Sequence, residues 1–283
     1  MVVNFCVAPN GPYRAICDAI IEPMLDYLPD ALMSYKPVSN AVNVSLFTTD
    51  KKCQAFIPHG IADKNYRNAD KVQGFQYVFV SGPAWVDKLM KQGLPRNRIL
   101  IGGYTKLDPI FQGKYEKSPA GDKKRVLYAP THGAIESVSL DGRFRECLNQ
   151  LSQHYEVIHA LHPASNRSGN VAMQELVDAD VVISDTGSLV YEAWALNKPV
   201  VFPSWLLKDG VIKHFPGSFE EQIYREEIGY HAWSITNLLA CVKRAALRGI
   251  DDRAMRFIEG IFPSALRGHS GEAAAKLLTH LGA

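Results

Sequence analysis

Two doubly wound α/β domains facing each other across a cleft are the fold that this sequence predicts, and three observations predict it. Short β-branched apolar runs alternate with segments of helical periodicity along the chain. A polar stretch without apolar period, Gln112 to Lys124, contains Gly113, Ser118, Pro119 and Gly121 and divides that alternation into two arrays. One stretch, Ala179 to Pro203, holds a complete strand, turn, helix and strand. The expected division is an N-terminal Rossmann-like domain, residues 1–115, and a C-terminal Rossmann-like domain, residues 116–283. In such sheets ligands bind beyond the carboxyl ends of the strands, here in the cleft between domains.

The elements follow in order. Val2–Ala8 is β-branched and alternating and predicts a first strand, and Pro9-Asn10-Gly11-Pro12 a turn. Ile16, Ile20, Ile21, Met24 and Leu25 recur at helical spacing, so Tyr13 to Leu28 predicts a helix that Pro23 should kink or divide. Ala41–Thr48, Gln54–Pro58 and Tyr77–Val80 predict strands. Ala84–Gln92 predicts a helix, with Pro83 near its start and Gly93 just past its end. Arg98–Ile101 closes the first array as a strand.

In the second array Val126–Ala129 and Glu156–Leu161 predict strands, and Phe144–Gln153 and Val171–Val177 helices. The βαβ unit comes next: Val181–Ile183, a turn at Ser184–Ser188, a helix from Leu189 to Leu196 stopped by Asn197-Lys198-Pro199, and Val200–Phe202. Leu206–Phe219 carries Gly210, Pro216 and Gly217 with no clear period and reads as a loop. Phe219–Glu227, Thr236–Arg248 and Gly271–Leu281 predict three closing helices.

Composition narrows the function. Apolar residues make up 47% and charged residues 21%, the balance of a folded chain. No apolar run nears the ~18 residues that span a bilayer. No basic segment precedes the first apolar run, so a secretory signal is not expected and a cytoplasmic location is. Lys51-Lys52 and Lys123-Lys124-Arg125 leave open a peripheral contact with the inner face of a membrane. A net charge of +2 does not point to nucleic acid. Five scattered cysteines without CxxC spacing point to neither zinc nor a disulfide framework. Asp178-Ala179-Asp180 precedes a strand instead of following one, so it reads as a lead-in and not a metal site. No metal and no cofactor are expected. Walker, GxGxxG and GxSxG patterns do not occur.

Polar groups fall immediately after several strands: His59, Thr131-His132, His162, and Asp185-Thr186-Gly187-Ser188. Strand ends on one edge converge, so these residues are expected to line one cleft. The turn at 185–188 opens a helix, where unpaired N–H groups and the positive end of the dipole suit a diphosphate. Helix capping by the same Ser, Asp and Thr residues is the alternative use of that turn.

An ordered set of motifs resembles one family. His59-Gly60-Ile61-Ala62-Asp63-Lys64 is similar to the HGxxxK segment of the CDP-glycerol glycerophosphotransferases, the teichoic-acid and capsule polymerases of GT-B architecture. Tyr77–Pro83, Gly93–Gly103, Tyr128-Ala129-Pro130-Thr131, His162-Pro163 and Ser184–Ser188 follow in the family's order, as do Lys198-Pro199, Pro216-Gly217 and Gly268–Ala273. The chain departs from the family at Thr186-Gly187, where an aromatic and a serine are usual, and at Glu192, where many members have Asp. The spacing from Glu192 to Pro199 is also similar to sugar-nucleotide GT-B enzymes and to sugar-nucleotide 2-epimerases, so both stay open as alternatives.

The resemblance implies a transferase for cell-wall polymer synthesis. It would move glycerol phosphate, or a related polyol phosphate, from a CDP-linked donor, with UDP-linked donors open, to a polyol or glycan hydroxyl. His59 is the expected general base. Thr131, His132, His162, Thr186, Gly187 and Ser188 are expected around the donor's phosphates. Asp185 is expected to cap the turn or orient a histidine, Glu192 to meet ribose, and Lys64 to supply a charge to the substrate.

Overall fold

The two arrays fold into two sheets. The computed structural model describes residues 2–9, 13–36, 41–47, 52–63, 68–119, 121–131, 142–160 and 172–281. The first array runs β1 Val2–Val7, α1 Arg14–Leu25, β2 Leu32–Tyr35, β3 Ala41–Phe47, β4 Lys52–Pro58, α2 Asn68–Val72, β5 Tyr77–Val80, α3 Pro83–Lys91, β6 Ile99–Ile101 and α4 Asp108–Phe111. The second runs β7 Arg125–Ala129, α5 Gly142–His154, β8 Glu156–His159, α6 Met173–Asp178, β9 Val181–Ser184, α7 Ser188–Ala195 and β10 Val200–Pro203. It continues through α8 Ser204–His214, α9 Phe219–Glu226, β11 Tyr230–Ala232, α10 Ile235–Arg248, α11 Asp252–Ile261 and α12 Ser270–Leu281.

The second sheet has the order β11-β10-β9-β7-β8 and is parallel throughout. Every residue of β9 and of β10 is buried, as a parallel sheet covered on both faces requires. The first sheet has the order β2-β1-β3-β4-β5-β6. Here β3 runs antiparallel to both neighbours, so this half is mixed and not uniformly wound. Alternating burial along a strand is the same in either direction, and the sequence pattern could not show the reversal.

Three other expectations change. The stretch read as a loop at 206–219 is largely helix α8. Leu207 and Val211, four residues apart, are both buried, and that packing outweighs the cost of Gly210. Helix α11 was missed, although its signals are present. The side chain of Asp251 accepts the N–H groups of Arg253 and Ala254, and Ala254, Ile258 and Ile261 form the buried face. Pro23 lies near the end of α1 and does not divide it.

The last helix crosses back. α12 packs against α1 of the N-terminal half, although the sequence division placed it in the second domain. The Asp108 carboxylate accepts the N–H groups of Gly268 and Gly271 at 3.1 and 2.6 Å, which satisfies the start of α12 from the other half. Ser270 Oγ accepts the Tyr104 N–H at 3.1 Å. Gly103 beside it has φ +79, and a side chain there would collide with Ser270. The Trp85 and Phe219 rings meet edge to face with centroids 5.1 Å apart, adding an aromatic contact between the halves. Among the described residues no helix is long and apolar enough to cross a membrane.

Candidate functional site

The site is built where the segment after β4 meets the start of α7. His59 follows β4 directly, and its ring packs against the ring of Tyr13 with centroids 4.9 Å apart. The next residues reach the other half of the molecule. The N–H groups of Ile61 and Ala62 donate to Ser188 Oγ at 3.2 and 3.4 Å, joining positions 127 and 126 residues apart. A Cβ at Gly60 would lie 2.6 Å from that same oxygen, so only glycine allows this approach without a shift. A hydroxyl that accepts these bonds still has its own proton to donate.

The turn between β9 and α7 is held by Asp185, which is 1% exposed. Its carboxylate accepts the Thr131 N–H at 2.9 and 3.0 Å and the Thr186 N–H at 2.7 Å. The Tyr224 hydroxyl donates to the Asp185 carbonyl at 3.1 Å. One buried carboxylate therefore locks the ends of β7 and β9 together. The Thr131 side chain comes to 3.8 Å from the Cβ position of Gly187. Gly187 is the residue before the first turn of α7 and brings no side chain to cap it. Thr131, Asp185, Thr186, Gly187 and Ser188 are thus brought together, with the His59 segment against them. His132, His162 and Lys64 lie outside the described residues.

Glu192 lies one helical turn further in and is 1% exposed. The sequence reading turned it toward ribose. In the structure both its oxygens are engaged from the N-terminal half. Lys106 Nζ donates to Oε1 at 2.9 Å and to Oε2 at 2.8 Å, and the Tyr104 hydroxyl donates to Oε1 at 2.8 Å. Burial, reinforced by the Glu192 charge, pushes the Tyr104 phenol well above its ordinary value. Sequence reasoning missed Tyr104 and Lys106. Their only signal was their place just after β6, in the segment following Gly102-Gly103.

A further histidine, His231 on β11, is 6% exposed and neutral. Its Nε2 faces the Ile228 carbonyl, an acceptor only, at 3.1 Å, so Nε2 carries the proton and Nδ1 accepts from Ser204 Oγ at 2.7 Å. Burial lowers this imidazole to about 4. Among the described residues no group of three or more His, Cys, Asp or Glu is placed to hold a metal ion.

Comparison with known proteins identifies the fold. The structure superposes on that of the wall teichoic acid polymerase TagF with a TM-score of 0.67 at 15% identity, over 99% of this chain and 88% of that one. The fold is GT-B. A histidine variant of TagF with CDPG aligns with a TM-score of 0.63 at 15% identity, over 99% of this chain and 87% of that one. In sequence, this GT-B chain is 29% identical over 155 residues to the teichoic acid glycerol-phosphate primase of Bacillus subtilis, covering 47% of this chain and 41% of that protein. It is 26% identical over 187 residues to the teichoic acid poly(ribitol-phosphate) polymerase of Bacillus spizizenii, covering 55% of this chain and 29% of that protein. The chain thus spans less than half the length of these two relatives. No protein-family model matches it. The resemblance read from the motifs stands: the chain is similar to teichoic-acid primases and polymerases.

Proposed function

We propose that this chain transfers glycerol phosphate, or a related polyol phosphate, from a CDP-activated donor to an acceptor hydroxyl in the synthesis of a cell-surface polymer. The observation that carries the reading is the contact between the His59 segment and the start of α7, made by Ile61, Ala62 and Ser188. It sets the segment that carries His59 against the start of α7, so an imidazole, the side chain suited to proton transfer near neutral pH, and a dipolar helix end belong to neighbouring segments. The likeness to a glycerol-phosphate primase supports the choice of substrate class.

The acceptor O–H gives its proton to the His59 imidazole while its oxygen bonds to the phosphorus carrying glycerol. The bond from that phosphorus to the bridging oxygen breaks, and cytidylate leaves with the electron pair. Negative charge grows on the phosphates as it leaves. The first N–H groups of α7, the Ser188 hydroxyl and Thr131 are the donors assigned to meet that charge. Asp185 holds Thr131 and Thr186 in place and makes no contact with phosphate in this scheme. His132, His162 and Lys64 keep their sequence-based assignments around the donor.

The test is turnover of CDP-glycerol with polyol and glycan acceptors, followed by product mass. A gain of one glycerol phosphate per transfer supports the reading. A gain of hexose from a UDP-sugar, or interconversion of a sugar nucleotide without acceptor, replaces it with one of the alternatives. For the cradle, Ser188→Ala should weaken CDP binding by ~2–10-fold, the value of one lost hydrogen bond. Unchanged affinity by calorimetry would remove Ser188 from it.

A further inference from the structure

The segment that carries His59 is fastened to the C-terminal half a second time, at residue 63. Asp63 is fully buried, and its N–H donates to Glu220 Oε1 at 2.9 Å. Its own carboxylate accepts the Phe219 N–H at 3.0 Å and the Asn68 side-chain amide at 2.6 Å. Lys88, on α3, pairs with the same carboxylate at 2.5 Å and donates to the Gly217 carbonyl at 2.6 Å. Glu220 is 1% exposed, and its Oε1 also accepts the Tyr191 hydroxyl at 2.8 Å. Its Oε2 is buried and has no hydrogen-bond partner among the described residues.

We infer that Asp63 and Glu220 are positioning residues for His59, a buried acid pair that fastens the imidazole's segment to the start of α9 and loosens as the pH rises. The inference deepens the proposed function, because the segment it fastens is the one assigned the general base. The groups facing Glu220 are Asp63 from that segment, itself paired with Lys88 of α3, Tyr191 from α7 and Tyr224 from its own helix. Glu221 points elsewhere, pairing with Arg225 at 2.7 Å.

The physical reason is a charge count. With a proton on Glu220, one carboxylate faces the Lys88 ammonium. Without it, a second buried negative charge sits beside the Asp63 carboxylate, and Glu220 Oε2 is left with charge and no donor among the described residues. Burial, reinforced by the Asp63 charge, pushes the Glu220 carboxyl up to about 7. Burial also raises Asp63, against the pull of Lys88. If the segment opens, Glu220 returns toward its ordinary value of 4.5. The fastened form therefore holds the proton more tightly. Its advantage is full below pH 4.5 and is lost as the pH rises through about 7. Between pH 6 and 8.5 the fastening equilibrium should weaken about tenfold.

Amide hydrogen exchange on the full chain tests this, read at residues 61–63 and corrected for the intrinsic pH dependence of exchange. In the wild type, protection there should fall about tenfold from pH 6 to 8.5. Glu220→Gln is neutral at every pH and should make protection flat across that range. Tyr191→Phe removes a donor to the carboxylate and should move the wild-type fall to higher pH. Flat protection in the wild type overturns the inference, and so does an unchanged fall in Glu220→Gln. With CDP-glycerol as substrate, Glu220→Gln should flatten the alkaline limb of kcat while KM stays the same. If kcat keeps its wild-type pH profile in that variant, the pair does not position His59. If the wild type turns over no nucleotide donor while protection behaves as expected, the functional reading fails and the fastening stands.

Discussion

His59→Ala should lower turnover of a CDP-activated donor by ~10²-fold or more, the usual share of a positioned general base. Binding of CDP should stay within about twofold of the wild type, because the groups assigned to the phosphates are Thr131, His132, His162 and the start of α7, and His59 is not among them. The His59 ring packs on Tyr13, so its removal also leaves a gap beside that ring. His59→Gln keeps most of the volume and serves as the control, and it should be as slow as the alanine variant. Initial rates and calorimetry on the same preparations check both halves of the expectation. Wild-type turnover in either variant would show that His59 does not take the proton. Loss of CDP affinity in step with turnover would show that the ring holds the donor instead.

The largest effect on stability should come from Lys106→Met. Lys106 and Glu192 form a 2.8 Å ion pair with side chains 6% and 1% exposed, and Tyr104 adds a hydrogen bond to the same carboxylate. Removing the cation strands a buried carboxylate, which costs about 3–5 kcal/mol. The pair joins the segment after β6 to helix α7, so the loss falls on the junction between the two halves. Lys106→Met combined with Glu192→Leu should recover most of that loss, since neither charge is then left alone. Equilibrium urea denaturation of the wild type and the two variants measures it. A loss below about 1 kcal/mol in the single variant would mean that water reaches Glu192, as at an exposed pair. The ribose assignment for Glu192 would then regain ground.

How much of this was legible in the sequence depends on how local the cause is. The parallel second sheet was legible because strands buried on both faces read as unbroken apolar runs, as in Val181–Ser184 and Val200–Pro203. The turn at 185–188 was legible for a similar reason: small polar residues between an apolar run and a helical period are a local signal. The reversal of β3 was not legible, and neither was helix α8, where the burial of Leu207 and Val211 decides against Gly210. Asp63, Tyr104, Lys106 and Glu220 drew no attention as isolated polar residues. Each has a partner 86 to 157 residues away, which no local pattern shows.

By itself the sequence determined the α/β alternation, the division into two arrays, and the order of polar groups at the strand ends. All of these follow from periodicity and turn chemistry within about a dozen residues. Only the tertiary structure decided that Ser188 holds the His59 segment, that Glu192 faces Lys106, and that Asp63 and Glu220 share one buried site. The reason is physical. A charge in a linear chain is solvated and says nothing of its partner, and it becomes informative when folding removes the water and leaves a particular neighbour in its place.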